Sequence, residues 1–433
     1  MPYCSIEQLY SFFQKYPVVC TDTRTIKKDS LFFALKGDNF NGNEFADKAL
    51  ENGSAYVIID EEKYMRGEKY LLVKDVLTSL QDLAKYHRSK LKIPFIGITG
   101  SNGKTTSKEL VHAVLSKKFK TLATLGNLNN HIGVPLTLLS ITAEHEMAII
   151  EMGANHLNEI AFLSSIASPD YGLITNFGKA HLEGFGSAEN IVIAKSELYD
   201  HVRSKKGVLF VNGDNELMLK QAGSATKITY GTTSECDFKA SFLKADPFVE
   251  LSIQSFENNQ TIKTQLIGKY NFDNCVAAAC IGNYFGVSES AIKAALENYV
   301  PSNNRSQVVK KNTHSILLDA YNANPSSMEV AIVNFAEMNA QNKVVLLGDM
   351  LELGKDTRME HLKILNLLTQ KGFTEVYLVG PNFKACEEHS KFTFFENTSA
   401  AFDFLSSKKF TEKTFLIKGS RGIKLETLVD AIV

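Results

Sequence analysis

Two glycines, a lysine and three threonines stand together in Thr99-Gly100-Ser101-Asn102-Gly103-Lys104-Thr105-Thr106. Glycines at this spacing let successive backbone N–H groups turn toward one anion. A lysine after the second glycine reaches terminal phosphates, and the next hydroxyl suits Mg²⁺. The implied chemistry is a nucleoside triphosphate held by its phosphates. To position these groups, a buried strand must deliver the chain to the turn. A helix must start right after it, because a helix N-terminus adds partial positive charge. The apolar run 95–98 supplies the strand, and Leu110, Val111, Val114 and Leu115 fall at helical spacing beyond it. The strict consensus places a glycine at position 98, where this chain has Ile98, so the match is to a shorter variant.

Further candidates sit where apolar runs end. Glu151 directly follows the run 147–150, and a carboxylate one strand from a phosphate loop can hold Mg²⁺ directly or through water. A surface or capping acid is the plainer alternative. Thr175-Asn176 ends the run 171–174 and leads to His181-Leu182-Glu183-Gly184-Phe185-Gly186, while Lys195 lies in a helix-like stretch. Taken alone, His181 reads as a structural or surface histidine and Lys195 as a helix-face lysine. Near the N-terminus, Asp22-Thr23-Arg24 and the stretch 34–42 are polar loops after strands, fitting ligand contacts and solvated turns equally well.

The 433 residues exceed one core, and three α/β units are expected: 1–88, 89–303 and 304–433. In the first, a helix is expected over 5–15 and 45–51, with strands over 18–20, 31–35 and 55–59. The second alternates strands and helices as a mostly parallel sheet, with 227–266 as an antiparallel extension. The third repeats strand and helix at 315–320, 343–347, 375–379 and 414–418, ending in a helix from 424. It is Rossmann-like but lacks Gly-x-Gly-x-x-Gly, which argues against a dinucleotide. Lys plus Arg number 47 against 48 Asp plus Glu, so no basic excess points to nucleic acid. The six cysteines have neither zinc spacing nor disulfide density, and no apolar run reaches membrane length. A cytoplasmic protein with free thiols is expected.

Side by side, these stretches resemble the Mur ligases, ATP-dependent amide ligases of peptidoglycan precursor synthesis, across all three units. The resemblance rests on 99–106, whose shortened loop accounts for Ile98, and on Gly126-Asn127-Leu128-Asn129-Asn130-His131-Ile132-Gly133-Val134-Pro135. It rests equally on Glu151-Met152-Gly153-Ala154-Asn155-His156, on 181–186, on Asp319-Ala320-Tyr321-Asn322-Ala323-Asn324-Pro325, and on Leu347-Gly348-Asp349-Met350-Leu351-Glu352-Leu353-Gly354. Within the family it is similar to the branch that adds D-alanyl-D-alanine to a UDP-N-acetylmuramoyl tripeptide.

The resemblance implies ATP and two Mg²⁺ ions, with Gly100, Ser101, Asn102, Gly103, Lys104, Thr105 and Thr106 around the phosphates. Thr105 and Glu151 match ligands of one ion, and His181 matches a ligand of the second. Lys195 matches a lysine carbamylated by CO₂, a change from cation to carboxylate-like anion that can help hold a metal. Asn271 and Asn274 match the adenine pair, Arg305 an interdomain arginine on the phosphates, and Asp319 the ribose acid. Lys104, Lys195, His181 and Arg305 are the implied catalytic set. Asp22, Thr23, Arg24, Lys36, Asn127, Asn129 and Asn130 are implied in substrate binding, and Asn322, Asn324, Lys418, Ser420 and Arg421 near the incoming dipeptide or the reacting groups. The chain departs from the pattern at Asn41 and Asn43, where the family has Asp and His, and at Asn304, where it has Gly. Asn tolerates the left-handed conformation that a glycine there would adopt.

The implied partners are the UDP-tripeptide, D-Ala-D-Ala and ATP, without nucleic acid or membrane insertion, and the enzyme is expected to be a monomer. Rival readings are another ADP-forming ligase, adding a single amino acid or acting as a folylpolyglutamate synthase, and a GTPase switch. No Asn-Lys-x-Asp string supports the last.

Overall fold

Alternating apolar runs and helices build three mostly parallel sheets. The computed structural model describes residues 3–257, 259–302 and 304–432. The first unit carries four parallel strands in the order Val18–Cys20, Ser30–Phe33, Tyr56–Ile59, Tyr70–Leu72. Its opening helix, Ile6–Lys15, starts at a capping box between Ser5 and Gln8. The helix Val76–Lys90 then ties this unit to the next. Arg88 donates to the carbonyls of Ala167 (2.9 Å) and Ser168 (2.8 Å), at the end of a neighbouring helix, and its guanidinium lies 3.7 Å from the Phe95 ring centroid. Leu9, Phe13, Leu80 and Leu83 of the first unit therefore share one buried cluster with Ile150, Ile160 and Leu163 of the second.

The central sheet has nine strands in the order Gln260–Ile267, Phe248–Ile253, Phe238–Ala245, Lys227–Gly231, Val208–Asn212, Tyr171–Ile174, Phe95–Thr99, Met147–Glu151, Thr121–Ala123. Phe95–Thr99 and Met147–Glu151 are buried on both faces, which explains their unbroken apolar runs. The expected antiparallel extension holds for the last three strands, whereas Lys227–Gly231 pairs parallel with Val208–Asn212. The helix Glu216–Ala222 supplies the crossover that a parallel pair requires.

In the third unit six strands run Gln307–Lys311, His314–Asp319, Thr414–Lys418, Lys343–Gly348, Val376–Val379, Thr393–Phe395, with only the first pair antiparallel. The helix expected from 424 is instead a 3₁₀ segment, Leu425–Ala431. Its buried residues Leu425, Leu428 and Ala431 repeat every third position, the period of that tighter helix. Tyr70–Leu72, Thr121–Ala123, Gln307–Lys311 and Thr393–Phe395 are strands that the apolar pattern does not announce, and each is a sheet edge. Among the described residues no helix is long and apolar enough to cross a membrane, and all six cysteines are unpaired.

Candidate active site

The loops after Phe95–Thr99, Met147–Glu151 and Tyr171–Ile174 line one cavity of about 860 Å³, with the third unit forming its far wall. Ile98 is fully buried in its strand, so the turn begins only at Gly100. A side chain at Gly100 (φ +145°) would place Cβ 2.0 Å from Thr175 Oγ1, and Gly103 (φ +78°) faces Asn274 Oδ1 at 2.9 Å. Both glycines are therefore required by close approach as well as by backbone angle. Asn176 clamps the turn: its Oδ1 accepts the Asn102 N–H at 3.0 Å, and its Nδ2 donates to the Asn102 carbonyl at 2.9 Å.

Lys104 opens the helix Lys104–Leu115 and folds back over the turn, its Nζ donating to the carbonyls of Gly100 (2.7 Å) and Ser101 (3.0 Å). Burial depresses its pKa, the Arg305 charge adds to the depression, and Glu151 opposes it. Glu151 itself is 1% exposed. Its Oε1 accepts from Asn129 Nδ2 (2.8 Å) and Thr105 Oγ1 (3.2 Å), while Oε2 has no hydrogen-bond partner and lies 3.9 Å from Lys108 Nζ. A buried carboxylate oxygen left free beside a hydroxyl fits a small hard cation that takes its remaining ligands from phosphate and water.

Helix Asn271–Tyr284 packs against the loop helix through side chains in series. Ser107 Oγ donates to Asn274 Oδ1 (2.9 Å), Asn274 Nδ2 to Asn271 Oδ1 (2.9 Å), and Asn271 Nδ2 to the Ile267 carbonyl (2.8 Å). Both asparagines line the cavity, with these amide groups already engaged.

The third unit approaches through the N-terminus of helix Pro325–Glu337. Asn324 caps that helix and donates from Nδ2 to Asn102 Oδ1 at 2.7 Å, and the Lys179 N–H donates to Ser326 Oγ at 2.8 Å. Asn304 adopts φ +56°, as the glycine expected there would. The Arg305 guanidinium then lies 3.6 Å from the Tyr321 ring centroid, with Arg421 at 5.3 Å from the same centroid. Asp319 accepts from Lys418 Nζ at 2.5 Å and from the Ser306 N–H at 3.3 Å. Thr106, Asn127, Asn130, His181 and Asn322 complete the candidates on the cavity wall.

Other candidates lie off that wall. Gly100 is beneath the turn, and Ser420 is buried, bonded to the Ala323 carbonyl and the Leu351 N–H. Arg421 is exposed beyond Tyr321. Lys195 is 1% exposed, its Nζ donating to the Ala154 carbonyl at 3.2 Å. Burial first, then the Lys104 charge, brings its pKa down to about 7. Asp22, Thr23, Arg24 and Lys36 belong to the first unit. There Arg24 forks onto Asp22, and Lys36 pairs with Asp60 at 3.0 Å. Asn43 is buried, donating to Asn41 Oδ1 and Asp60 Oδ1 at 2.9 Å each. The departures at Asn41 and Asn43 thus fasten the loop that carries Lys36.

Asn176, noted in the sequence only as a polar residue after a strand, gains a role as the clamp on the turn, and Tyr321, assigned no role there, is the platform for Arg305. Each stands two residues beyond a strand, Tyr171–Ile174 and His314–Asp319. Asn129, expected on the substrate, acts here on Glu151. Its backbone is fixed beside the Glu151 strand, the carbonyl accepting the Gly153 N–H at 2.8 Å. Asn129→Ala is expected to weaken binding of a divalent cation at Glu151 about 10- to 100-fold, read from a metal titration followed by thermal unfolding.

Comparison with known proteins covers nearly the whole chain. Family profiles match in series: "Mur ligase family, catalytic domain" over residues 15–88, "Mur ligase middle domain" over 98–282, and "Mur ligase, glutamate ligase domain" over 304–421. The UDP-N-acetylmuramoyl-tripeptide--D-alanyl-D-alanine ligase of Bacillus subtilis is 36% identical over 427 residues, spanning 96% of this chain and 93% of that protein. A crystal structure of MurF from Acinetobacter baumannii superposes with a TM-score of 0.88 at 30% identity, covering 99% of this chain and 98% of the other. MurF ligase from Thermotoga maritima, solved in complex with ADP, shares the fold with a TM-score of 0.84 at 24% identity, covering 96% of each chain. Matched by a family profile in each of its three units and 36% identical to a relative across 96% of its length, the chain belongs to the Mur ligase family.

Proposed function

We propose that this protein is an ATP-dependent ligase that joins D-alanyl-D-alanine to a UDP-N-acetylmuramoyl tripeptide, releasing ADP and phosphate in peptidoglycan precursor synthesis. The substrate assignment is supported by full-length similarity to proteins of that name. The observation that carries the chemistry is Glu151, whose Oε1 accepts from Thr105 while its buried Oε2 has no hydrogen-bond partner, beside a phosphate loop that the third unit reaches through Asn324. In the reading proposed, the tripeptide carboxylate attacks the γ-phosphate of ATP, giving an acyl phosphate and ADP. The free amine of the dipeptide then attacks that carbonyl, loses a proton and expels phosphate.

Neither step needs a covalent enzyme intermediate, so catalysis rests on position and charge. Lys104 and Arg305 offset the negative charge that repels one anion from another. Asn129 holds Glu151, Asn102 and Asn324 join the two walls, and Asp319 stands on the cavity wall as the acid for a ribose hydroxyl. Mg²⁺, held by Thr105 and Glu151 with a second ion at His181, would neutralise phosphate charge. Lys195 has the depressed amine that carbamylation requires, since the neutral nitrogen attacks CO₂ and gives up a proton. The Lys104 charge that disfavours an ammonium there favours the resulting anion.

ADP release tests the reading. Release from ATP is expected to need both D-Ala-D-Ala and the UDP-tripeptide. Equal release with a single amino acid, or a preference for GTP, would replace it with one of the rivals.

A further inference from the structure

His181 and Glu352 come from different units yet meet directly. His181 stands before the short helix Leu182–Phe185 of the central unit, and Glu352 follows the strand Lys343–Gly348 of the third. A carboxylate oxygen of Glu352 is hydrogen-bonded to Nδ1 of His181. Their backbones join as well, the Glu183 N–H donating to the Glu352 carbonyl at 3.2 Å. A Cβ added at Gly354 would come within 3.4 Å of Glu183, and Leu182 packs against the third unit's core. His181 (φ +53°) and Glu352 (φ +63°) both hold left-handed backbone, which is uncommon outside glycine. A side-chain bond, a backbone bond and the packing of Leu182 at one place on the domain boundary mark a specified contact rather than a casual surface pair.

We propose that Glu352 is a positioning residue that locks His181 as its Nδ1–H tautomer when the third unit closes, so that the ring's lone pair is presented at Nε2. An ionised carboxylate only accepts hydrogen bonds, so the proton between the two must reside on Nδ1, and a neutral ring then has its lone pair on Nε2. His181 lines the cavity, and a histidine whose second nitrogen is fixed by a carboxylate is a better-oriented and more basic metal ligand. The carboxylate here belongs to the third unit, across the domain boundary from the histidine. Domain closure thereby completes a metal-binding nitrogen, which an open arrangement leaves undirected. This consequence for the metal rests on the reading of the site given above.

The experiment compares the full-length wild type with Glu352→Ala and Glu352→Gln. ¹⁵N NMR of histidine-labelled protein, with His181→Gln to identify the signal, reads the tautomer. Small-angle scattering reads closure, and ADP release reads the Mg²⁺ requirement. The wild type should show a protonated Nδ1 and an unprotonated Nε2. Glu352→Gln, which keeps an acceptor oxygen, should retain most of that signature. Glu352→Ala should lose it, scatter as a more open particle, and need about 10- to 100-fold more Mg²⁺. An unchanged tautomer in Glu352→Ala, or a ring protonated on both nitrogens in the wild type, would overturn the proposal. The NMR and scattering results stand whichever substrates the enzyme takes, so failure here and failure of the substrate assignment are distinguishable.

Discussion

Lys104→Ala is expected to lower kcat for ADP release by about 10²–10³-fold, the cost of removing one preorganised charge from a site of this kind. In the structure the ammonium is already gathered over the turn by the Gly100 and Ser101 carbonyls, so it needs little rearrangement to meet a phosphate. Its partial burial strengthens its effect, because charge in a water-poor site interacts more strongly than in solvent. Lys104→Arg should fare little better, since a planar fork replaces a compact point charge in a turn fitted to the latter. The fold should persist, as the loop is also held by Asn176 and Thr175. A separate consequence follows at Lys195. The Lys104 charge helps depress that amine, so in Lys104→Ala its pKa should rise, a shift readable by NMR of labelled lysine. Near-normal turnover in Lys104→Ala would remove the loop from the chemistry.

Lys195→Ala should cost about 100-fold or more in turnover, with partial recovery in high bicarbonate or a short-chain carboxylate that occupies the vacated space. Full activity in the alanine variant would make Lys195 a packing residue. Its pH behaviour gives a second readout. The amine titrates near 7 when folded, against 10.5 for the ordinary lysine of the unfolded chain. Between those values the unfolded state binds the extra proton, so this group makes stability rise with pH. Below pH 7 the full cost of burying the cation remains. Lys195→Met should flatten that rise and gain stability in acid, whereas a carbamylated wild type should lose part of its stability when CO₂ is stripped from the buffer. Thermal unfolding across pH, with and without bicarbonate, measures both.

Much of the fold and of the site is legible in the sequence because local pattern and local chemistry coincide in an α/β chain. The run ending at Ile98 and the glycines after it belong to one continuous segment, and the buried strand ending in Glu151 announces itself by its unbroken apolar character. What stays hidden depends on segments far apart in sequence. Asn129 meets Glu151 only because two loops converge, and Glu352 reaches His181 from 171 residues away. Lys195 is an intermediate case. It falls within the stripe of Ile191, Ala194, Leu198, Tyr199 and Val202, all buried on helix Ala188–Ser204, yet the residue type alone reads as a helix-face lysine, and the Lys104 charge beside it comes from a distant segment. The edge strands escape for a related reason. A three-residue strand such as Thr121–Ala123 has too few side chains to establish a period, and only its pairing with Met147–Glu151 defines it.

The most direct test of the central claim is mass analysis of the product formed from ATP, D-Ala-D-Ala and a UDP-N-acetylmuramoyl tripeptide. The expected product is an adduct of tripeptide and intact dipeptide joined with loss of one water, formed in step with one ADP and one phosphate. An adduct carrying a single amino acid, or ADP release without any adduct, would contradict it.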